Sequence, residues 1–404
     1  MQGFQKYLKE DKNTHLEHLE DEIINNGTQG AKTSIEFLKS IKKMLQGGKG
    51  GSNVSVKWDG APAIFAGTNP ENGRFFVGTK SIFNATPKIN YTVSDISRNH
   101  GGALADKLAV ALKHLPSLGI KGVLQGDLLF TDDKKNAVVN GERSIIFTPN
   151  TITYAVPTTS VDMYNRIRAA KIGIIFHTSY SGKTMRGLKA SFGASVSGLR
   201  QNKNVFFDDA RYKQAQDPGF SKGEEKRFDA IIRMAEGSAY KAGAFIDKIK
   251  KDQGPLSLGV QLKTFFNTFI RSGTKIGNSK VLANNFEVFF RDRLKKEIDG
   301  KKQEKTKEKY KEILEAGMKI LRPNRQGLYF AIATYITLQT AKSLLLSKLN
   351  QIQSIGSFMR TSTGYKATSP EGYVAINKGN AVKLVDRLVF SQANFNVAKD
   401  WVRG

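Results

Sequence analysis

The strongest constraint on the fold is a change in hydrophobic periodicity along the chain. Between residues 53 and 180, apolar and polar residues alternate in short runs, which is the pattern of half-buried strands. The predicted strands are Asn53–Val56, Ala63–Ala66, Phe75–Val77, Gly122–Phe130, Ser144–Phe147, Thr151–Val156 and Lys171–His177. One helical run, Gly101–His114, interrupts them, so the order is unlike that of a βαβ chain. We therefore predict an α+β fold with antiparallel sheets.

Residues 181–350 have helical periodicity instead. The predicted helices in this block are Lys226–Glu236, Leu262–Ile270, Ser279–Lys296, Lys305–Leu321 and Gln326–Leu349. Strand character returns at Gly372–Ile376 and Ala381–Val385, on either side of a predicted turn at residues 377–380. Residues 13–46 predict two further helices, with a stop at Asn25-Asn26-Gly27.

The simplest domain organisation is one sheet domain that is split by a large helical insertion. We place an N-terminal helical segment at residues 1–50 and the first part of the sheet domain at 51–180. The helical insertion follows at 181–355, and the second part of the sheet domain occupies 356–404.

The net charge is +27, which points to a polyanionic partner such as nucleic acid. Residues 181–350 hold 34 Lys and Arg against 17 Asp and Glu, a net charge of +17. A solvated helix surface explains alternating charges, but it does not explain a twofold surplus of one sign. An acidic membrane surface is the competing partner, and no amphipathic anchor or lipidation motif supports it.

The composition excludes several kinds of site. The chain has no cysteine, so disulfides, zinc–thiolate sites and cysteine nucleophiles are excluded, and its five histidines are scattered. Gly182-Lys183-Thr184 lacks the first glycine of a Walker loop, because His177 stands in its place. The N-terminus lacks the apolar core of a signal peptide, and the apolar stretch 328–349 contains Lys342 and Lys348. We expect a cytoplasmic monomer that does not enter a membrane.

Lys57 is the first candidate for chemistry, in the run Val54-Ser55-Val56-Lys57-Trp58-Asp59-Gly60. The alternating segment predicts a strand, and Asp-Gly, two residues after the lysine, predicts a tight turn. This run resembles motif I of the covalent nucleotidyltransferases, the superfamily of ATP-dependent DNA and RNA ligases and mRNA-capping enzymes. The resemblance implies that Lys57 attacks the α-phosphate of a nucleotide and carries the nucleoside monophosphate as a phosphoramidate.

Further matches follow in the family's order. The strand that ends in Gly126-Asp127 is similar to motif III, with aspartate in place of the usual glutamate, and Phe176 lies in a segment that resembles motif IIIa. Glu371-Gly372 is similar to motif IV, and the strand around Lys383 is similar to motif V. The resemblance implies that Asp127 and Glu371 serve Mg²⁺ or Mn²⁺ and that Phe176 stacks on the purine. On the alternative interpretation, Phe176 is simply a core residue.

The remaining site residues also come from this resemblance. Asp59 and Lys383 join Lys57 as catalytic candidates, and Val56, Lys80, Phe176 and Lys383 are the nucleotide-binding candidates. Lys80 stands where the family often has an arginine. Val385 replaces the second lysine of motif V, and Lys378 or Arg387 is expected to compensate. The matches cover roughly residues 53–180 and 366–390.

The resemblance implies an ATP-dependent polynucleotide ligase that joins 5′-phosphate and 3′-hydroxyl ends of DNA or RNA through lysyl-AMP. The overall pattern is similar to ligase-like proteins of large tailed phages, which would place the protein in the host-cell cytoplasm. One alternative is an RNA-capping guanylyltransferase, which would use GTP. Another is a non-catalytic nucleic-acid-binding protein on a decayed transferase fold.

Overall fold

The computed structural model describes residues 16–46, 52–210, 219–251, 254–350, 356–361, 364–367, 372–377 and 380–388. The described part is a mixed α+β structure whose sheets are mainly antiparallel, which confirms the predicted fold class at this level. Its strands form three sheets, and its longest helices form a bundle on one side.

The largest sheet carries the first of the predicted strands. Its strand order is β10-β8-β4-β2-β3, and β9 pairs with β8. The bounds are β2 Ala63–Thr68, β3 Phe75–Gly78, β4 Val123–Phe130, β8 Ile172–Ser181, β9 Lys189–Phe192 and β10 Val205–Asp209. Within this sheet only the β8–β10 pair is parallel. One face packs on helices α2 (Val93–Asn99) and α3 (Gly102–His114).

A second sheet has the strand order β12-β11-β7-β6-β5 and is antiparallel throughout. Its strands are β5 Lys135–Val139, β6 Glu142–Phe147, β7 Ile152–Pro157, β11 Gly356–Thr361 and β12 Gly364–Ala367. Helix α4, Val161–Ala169, packs on β6 and β7. The residues of β7 and β4 share a core, so the first two sheets lie against each other.

The third sheet joins the two ends of the chain. It contains β1 Ser52–Lys57, β13 Gly372–Asn377 and β14 Asn380–Leu384, with β13 in the middle and every pair antiparallel. The strand predicted at 372–376 therefore pairs with the strand that carries Lys57, and the strand predicted at 381–385 pairs with the other side of that middle strand.

The helical bundle contains both the N-terminal helix and the basic block. Its helices are α1 Glu22–Leu45, α5 Lys222–Ile249, α6 Leu258–Arg271, α7 Ser279–Asp299, α8 Glu304–Leu321 and α9 Arg325–Leu349. Gly27 has φ 61° and breaks the regular helix inside α1, at the position of the predicted stop. None of the described helices is long and apolar enough to cross a membrane.

The basic block differs from the predicted insertion in two respects. β9 and β10 continue the large sheet to Asp209, so helices take over only at Lys222. The block also shares one continuous core with α1 and with one face of the third sheet, where Val54, Tyr373 and Leu384 are buried. This packing makes the bundle part of the support for the Lys57 strand.

Candidate active site

Lys57 and Lys383 project from the same face of the third sheet. Lys57 pairs with Gly372, while Ser55 pairs with Val374, which in turn pairs with Lys383. Opposed residues share a face of an antiparallel sheet, and so do residues two apart in one strand. The two lysines therefore occupy adjacent rows on β1 and β14, with about 10 Å between them across the strands and about 7 Å along them.

The opposite face of this sheet is closed to ligands because it packs against the helical bundle. Val56 belongs to that face and is partly buried there, while its backbone nitrogen donates to the Ala210 oxygen (2.7 Å). The Val56 side chain is thus turned away from Lys57, and any contact of Val56 with a nucleotide must come from its backbone.

The segment before α1 extends the same sheet beyond β14. The Lys383 backbone nitrogen donates to the Glu17 oxygen (2.9 Å), and His18 forms a parallel bridge with Lys383. The His18 Nδ1 atom is buried and has no hydrogen-bond partner in the described ranges. Burial lowers the pKa of His18 well below its ordinary value, and the nearby cation Arg387 lowers it further. A neutral imidazole therefore lies beside Lys383.

Asp59 fixes the turn that follows Lys57. Its carboxylate accepts four hydrogen bonds of 2.7 Å, from the Asn150 side chain, from the backbone nitrogens of Thr151 and Ile152, and from the Thr151 hydroxyl. Its backbone nitrogen donates to the Tyr154 hydroxyl (2.8 Å). Asp59 is buried, so these contacts make it a positioning residue for Lys57. The catalytic role suggested by the sequence stays a prediction.

Gly60 brings the Lys57 turn against Asp127. A Cβ atom on Gly60 would lie 2.6 Å from the Asp127 Cβ, so only glycine permits this approach. Hydrogen bonds from Ala61 to Leu128 (3.0 Å) and from Leu128 to Pro62 (3.1 Å) continue the contact along β4. The segments that resemble motifs I and III therefore meet in space, although Lys57 and Asp127 are 70 positions apart in the sequence.

Asp127 faces His177 across the large sheet, with 3.6 Å between Oδ1 and Nε2. His177 is an extra residue in β8, because Gln125 pairs with Thr178 whereas Gly126 pairs with Phe176. No group of three or more metal-binding side chains occurs among the residues that the structure describes. Glu371, the second predicted metal ligand, lies outside them. Asp127 alone still suits Mg²⁺, which keeps several waters and commonly takes one or two protein carboxylates.

Phe176 lies on the opposite face of the large sheet from Asp127, as the alternative interpretation of a core residue expects, and its purine-stacking role stays a prediction. Its side chain is fully buried in the core beneath the large sheet, beside Ile64 and Leu108. The bulge at His177 is the reason. In a regular register Phe176 would pair with Asp127 and share its face, but the extra residue pairs it with Gly126 and turns it to the opposite face.

The other predicted cations have different positions. Lys80 is exposed and lies two residues beyond the end of β3. β3 pairs with β2, and β2 pairs in turn with β4, where Ala63 is opposite Asp127. Arg387 does not compensate for Val385, because it is buried and bonded to Asp21, Tyr335 and Asn267. Lys378 lies outside the described residues.

Sequence reasoning missed three residues near the candidate site. Lys107 on α3 donates to the Ala61 oxygen (3.3 Å), and His177 and His18 lie beside Asp127 and Lys383. His177 stands in the segment that resembles motif IIIa, but the sequence assigned it no role, because the bulge in β8 decides where it lies. His18 stands in no motif, and a single β-bridge positions it. The only sequence signal for Lys107 was its position on the inward face of the helix predicted at residues 101–114.

Comparison with known families gives one match. The model of a family of unknown function, DUF6267, matches residues 13–399. The chain belongs to this family. The match spans the N-terminal helix, all three sheets and the helical bundle, so the DUF6267 unit includes both parts of the candidate site. No curated protein and no solved structure matches the chain.

Proposed function

We propose that the protein is a covalent nucleotidyltransferase that forms lysyl-AMP on Lys57 and uses it to join polynucleotide ends. One observation carries the proposal: β1, β13 and β14 are adjacent strands of one sheet, and they hold Lys57, Gly372 and Lys383. These strands bear the segments that resemble motifs I, IV and V. The order of the motifs along the sequence does not require that their strands pair, so the pairing supports the proposal independently of the sequence resemblance.

The first step needs a neutral amine on Lys57 and the α-phosphorus of ATP. The amine nitrogen forms a bond to phosphorus, and the bond from phosphorus to the oxygen that bridges to the β-phosphate breaks. Pyrophosphate leaves, and the proton lost by the amine passes to solvent. The product is an AMP group held by a phosphoramidate bond.

Lys383 is suited to the triphosphate because it projects from the same face as Lys57, one row away. A fixed ammonium group stabilises the negative charge that develops as pyrophosphate departs. Asp127 would hold Mg²⁺, which when bound neutralises phosphate charge, and Glu371 is the second proposed ligand. Lys80 is exposed at the rim of the site and can reach a phosphate that extends outward.

The second and third steps transfer AMP to a 5′-phosphate end and then displace it with a 3′-hydroxyl. The net charge of +17 over residues 181–350 supports a polynucleotide substrate, because neutralised phosphates release counterions. No feature of the described site favours the capping reaction over ligation. GTP therefore enters the test as a competitor of ATP.

Incubation of the purified protein with α-labelled ATP or GTP and Mg²⁺ tests the first step. We expect a covalent adduct with ATP that maps to Lys57 and is released as AMP by acid. Lys57→Ala and Lys57→Arg should each abolish the label, whereas Lys113→Ala, an exposed lysine of α3, should retain it. Labelling of Lys57→Ala, or a label from GTP alone, would contradict the proposal.

A further inference from the structure

The outer face of helix α5, residues 222–249, has an unusual segregation of charge. The helix contains six Lys and Arg and five Asp and Glu, so its net charge is small. Every one of the five carboxylates is engaged by a neighbouring group. Glu224 pairs with Lys348, Glu225 and Asp229 with Lys42, Glu236 with Lys39, and Asp247 with Lys250 and Thr28.

The six cations of α5 are all exposed and have no ion-pair partner in the described parts of the chain. They are Lys222, Lys226, Arg227, Arg233, Lys241 and Lys248. The Lys241 ammonium makes a cation–π contact, 5.0 Å from the centre of the Phe330 ring. The carboxylates thus stabilise the packing of α5 on α1 and α9, and the positive charge is left on the solvent side.

Two large apolar side chains lie among these cations. Tyr240 is 88% exposed and Met234 is 62% exposed. Seven-residue spacing places Arg227, Met234, Lys241 and Lys248 in one row, and it places Lys226, Arg233 and Tyr240 in a second row. The surface beside Tyr240 is open, because no described atom lies within 4 Å of the position that a Gly237 Cβ would take.

We propose that this face of α5 binds single-stranded nucleic acid, with a base stacked on Tyr240 and the phosphates held by the flanking cations. Cations that track a backbone, combined with an exposed ring, form the arrangement used for strand binding without sequence preference. A duplex keeps its bases stacked on each other, so an exposed tyrosine adds little to duplex binding. The 28-residue helix is about 42 Å long, which is enough for several nucleotides.

This inference goes beyond the proposed function, since binding at α5 requires neither Lys57 nor ATP. Fluorescence anisotropy with a labelled single strand of about 12 nucleotides measures it directly on the full chain. We expect Tyr240→Ala to weaken binding about tenfold and Tyr240→Phe, which keeps the ring, to change it by less than about twofold. The affinity should be the same with and without ATP, which separates this binding from the proposed transfer reaction.

A charge variant tests the second component. Arg227→Gln, Arg233→Gln and Lys248→Gln together should flatten the dependence of log affinity on log salt concentration by roughly 2. Lys302→Gln, Lys305→Gln and Lys309→Gln form the matched control, because they remove the same number of exposed cations from a different helix and the segment before it. This control should leave most of the binding in place, and thermal unfolding should be unchanged in both triple variants.

Three results would overturn the inference. The first is an equal loss of binding in the two triple variants, which would mean that total charge decides the affinity. The second is that a duplex and the single strand both bind tightly and that Tyr240→Ala weakens neither. The third is binding of phosphatidylserine vesicles, but not of oligonucleotides, through the cations of α5.

Discussion

At the scale of single residues, the turn after Lys57 depends on Asp59 more than on any other side chain in it. Asp59→Ala would leave the backbone nitrogens of Thr151 and Ile152 without an acceptor in a buried place. We expect a loss of about 3 kcal/mol in the free energy of unfolding, measured with urea. Asp59→Asn keeps one acceptor oxygen and should recover part of both stability and labelling. Equal behaviour of the two variants would contradict a positioning role.

Asp127 carries the prediction about metal dependence. Asp127→Asn should slow adenylylation about 100-fold and raise the Mg²⁺ concentration needed, because the metal loses its charged ligand. Folding should persist, since the Asp127 side chain is partly exposed and its recorded ion-pair partner is His177. Asp106→Asn on α3 is the control for loss of an exposed carboxylate. Near-normal rates in both Asp127→Asn and Glu371→Gln would show that neither carboxylate serves a metal.

His18 predicts how stability changes with pH. Its folded-state pKa lies well below 6.5, so the unfolded chain gains a proton first as the pH falls. The free energy of unfolding should therefore decrease below about pH 6.5, with a slope of up to about 1.4 kcal/mol per pH unit for this group. Burial also lowers the pKa of His100 and His114, which adds to the slope.

The measurement compares urea unfolding of the wild type and His18→Gln between about pH 7.5 and 5.5. The variant should have a shallower dependence on pH. A slope identical to that of the wild type would mean that His18 is protonated to the same extent in both states.

Phe176 and His177 show the limit of sequence reasoning at this scale. The aromatic residue was predictable as part of a buried strand, and it is one. Its face was not predictable, because one inserted residue reverses the alternation and the register of β4 and β8 is set by tertiary pairing. Asp127 pairs with Ile175, before the bulge in β8, and it lies beside the turn that follows Lys57 because Gly60 packs against it.

At the scale of elements, a buried ion pair fastens the N-terminal segment to α9. The Lys342 ammonium lies 2.7 Å from both carboxylate oxygens of Glu20, and the two side chains are almost fully buried. Lys342→Met should cost about 3–5 kcal/mol, because it leaves a buried carboxylate without its partner. Lys39→Met, which breaks the exposed pair with Glu236, should cost less than about 1 kcal/mol.

The double variant Glu20→Leu/Lys342→Met separates the pair from its packing. Replacing both charges by apolar groups removes the cost of an unpaired carboxylate, so most of the stability should return. If the double variant is less stable than Lys342→Met, the pair contributes through other contacts of Glu20.

Periodicity predicted the long helices of the basic block, but it missed the short helices α2 and α4 and the strands β5, β9, β10, β11 and β12. The predicted runs at 226–236, 262–270, 279–296, 305–321 and 326–349 all lie inside α5 to α9. β9 and β10 were missed because four or five residues carry too little alternation to be separated from a loop. β10 contains Val205-Phe206-Phe207, an apolar run that becomes a strand only because β8 lies beside it.

At the scale of the whole molecule, the helical block shares its core with the third sheet. One face of the third sheet has its core partners in α1 and in the helices after Lys222. We expect replacement of residues 222–349 by a flexible linker to abolish cooperative unfolding and Lys57 labelling, because Val54, Tyr373 and Leu384 would be exposed. A folded, labelling-competent product would show that the sheet domain is autonomous.

The sequence alone could not reveal this dependence. Helical periodicity identifies the apolar face of a helix but not the element that packs on it. The alternation in β1 likewise predicts that the strand has two different faces, but it does not show which elements pack on them. The predicted division into a sheet domain and an insertion followed the order of the elements along the chain. The packing instead follows the apolar surfaces of α1, α5 and α9.

The pairing of β1 with β13 also has a consequence for synthesis of the protein on the ribosome. Ser55 and its partner Val374 are 319 residues apart, so β1 leaves the ribosome long before its neighbour in the sheet exists. At translation speeds of about 5–20 residues per second, the interval is roughly 15 to 65 seconds. During that time a nascent chain has a lysine but no completed sheet around it. Incomplete chains that end before β13 should therefore consume no nucleotide, and the proposed activity would begin only in nearly complete copies.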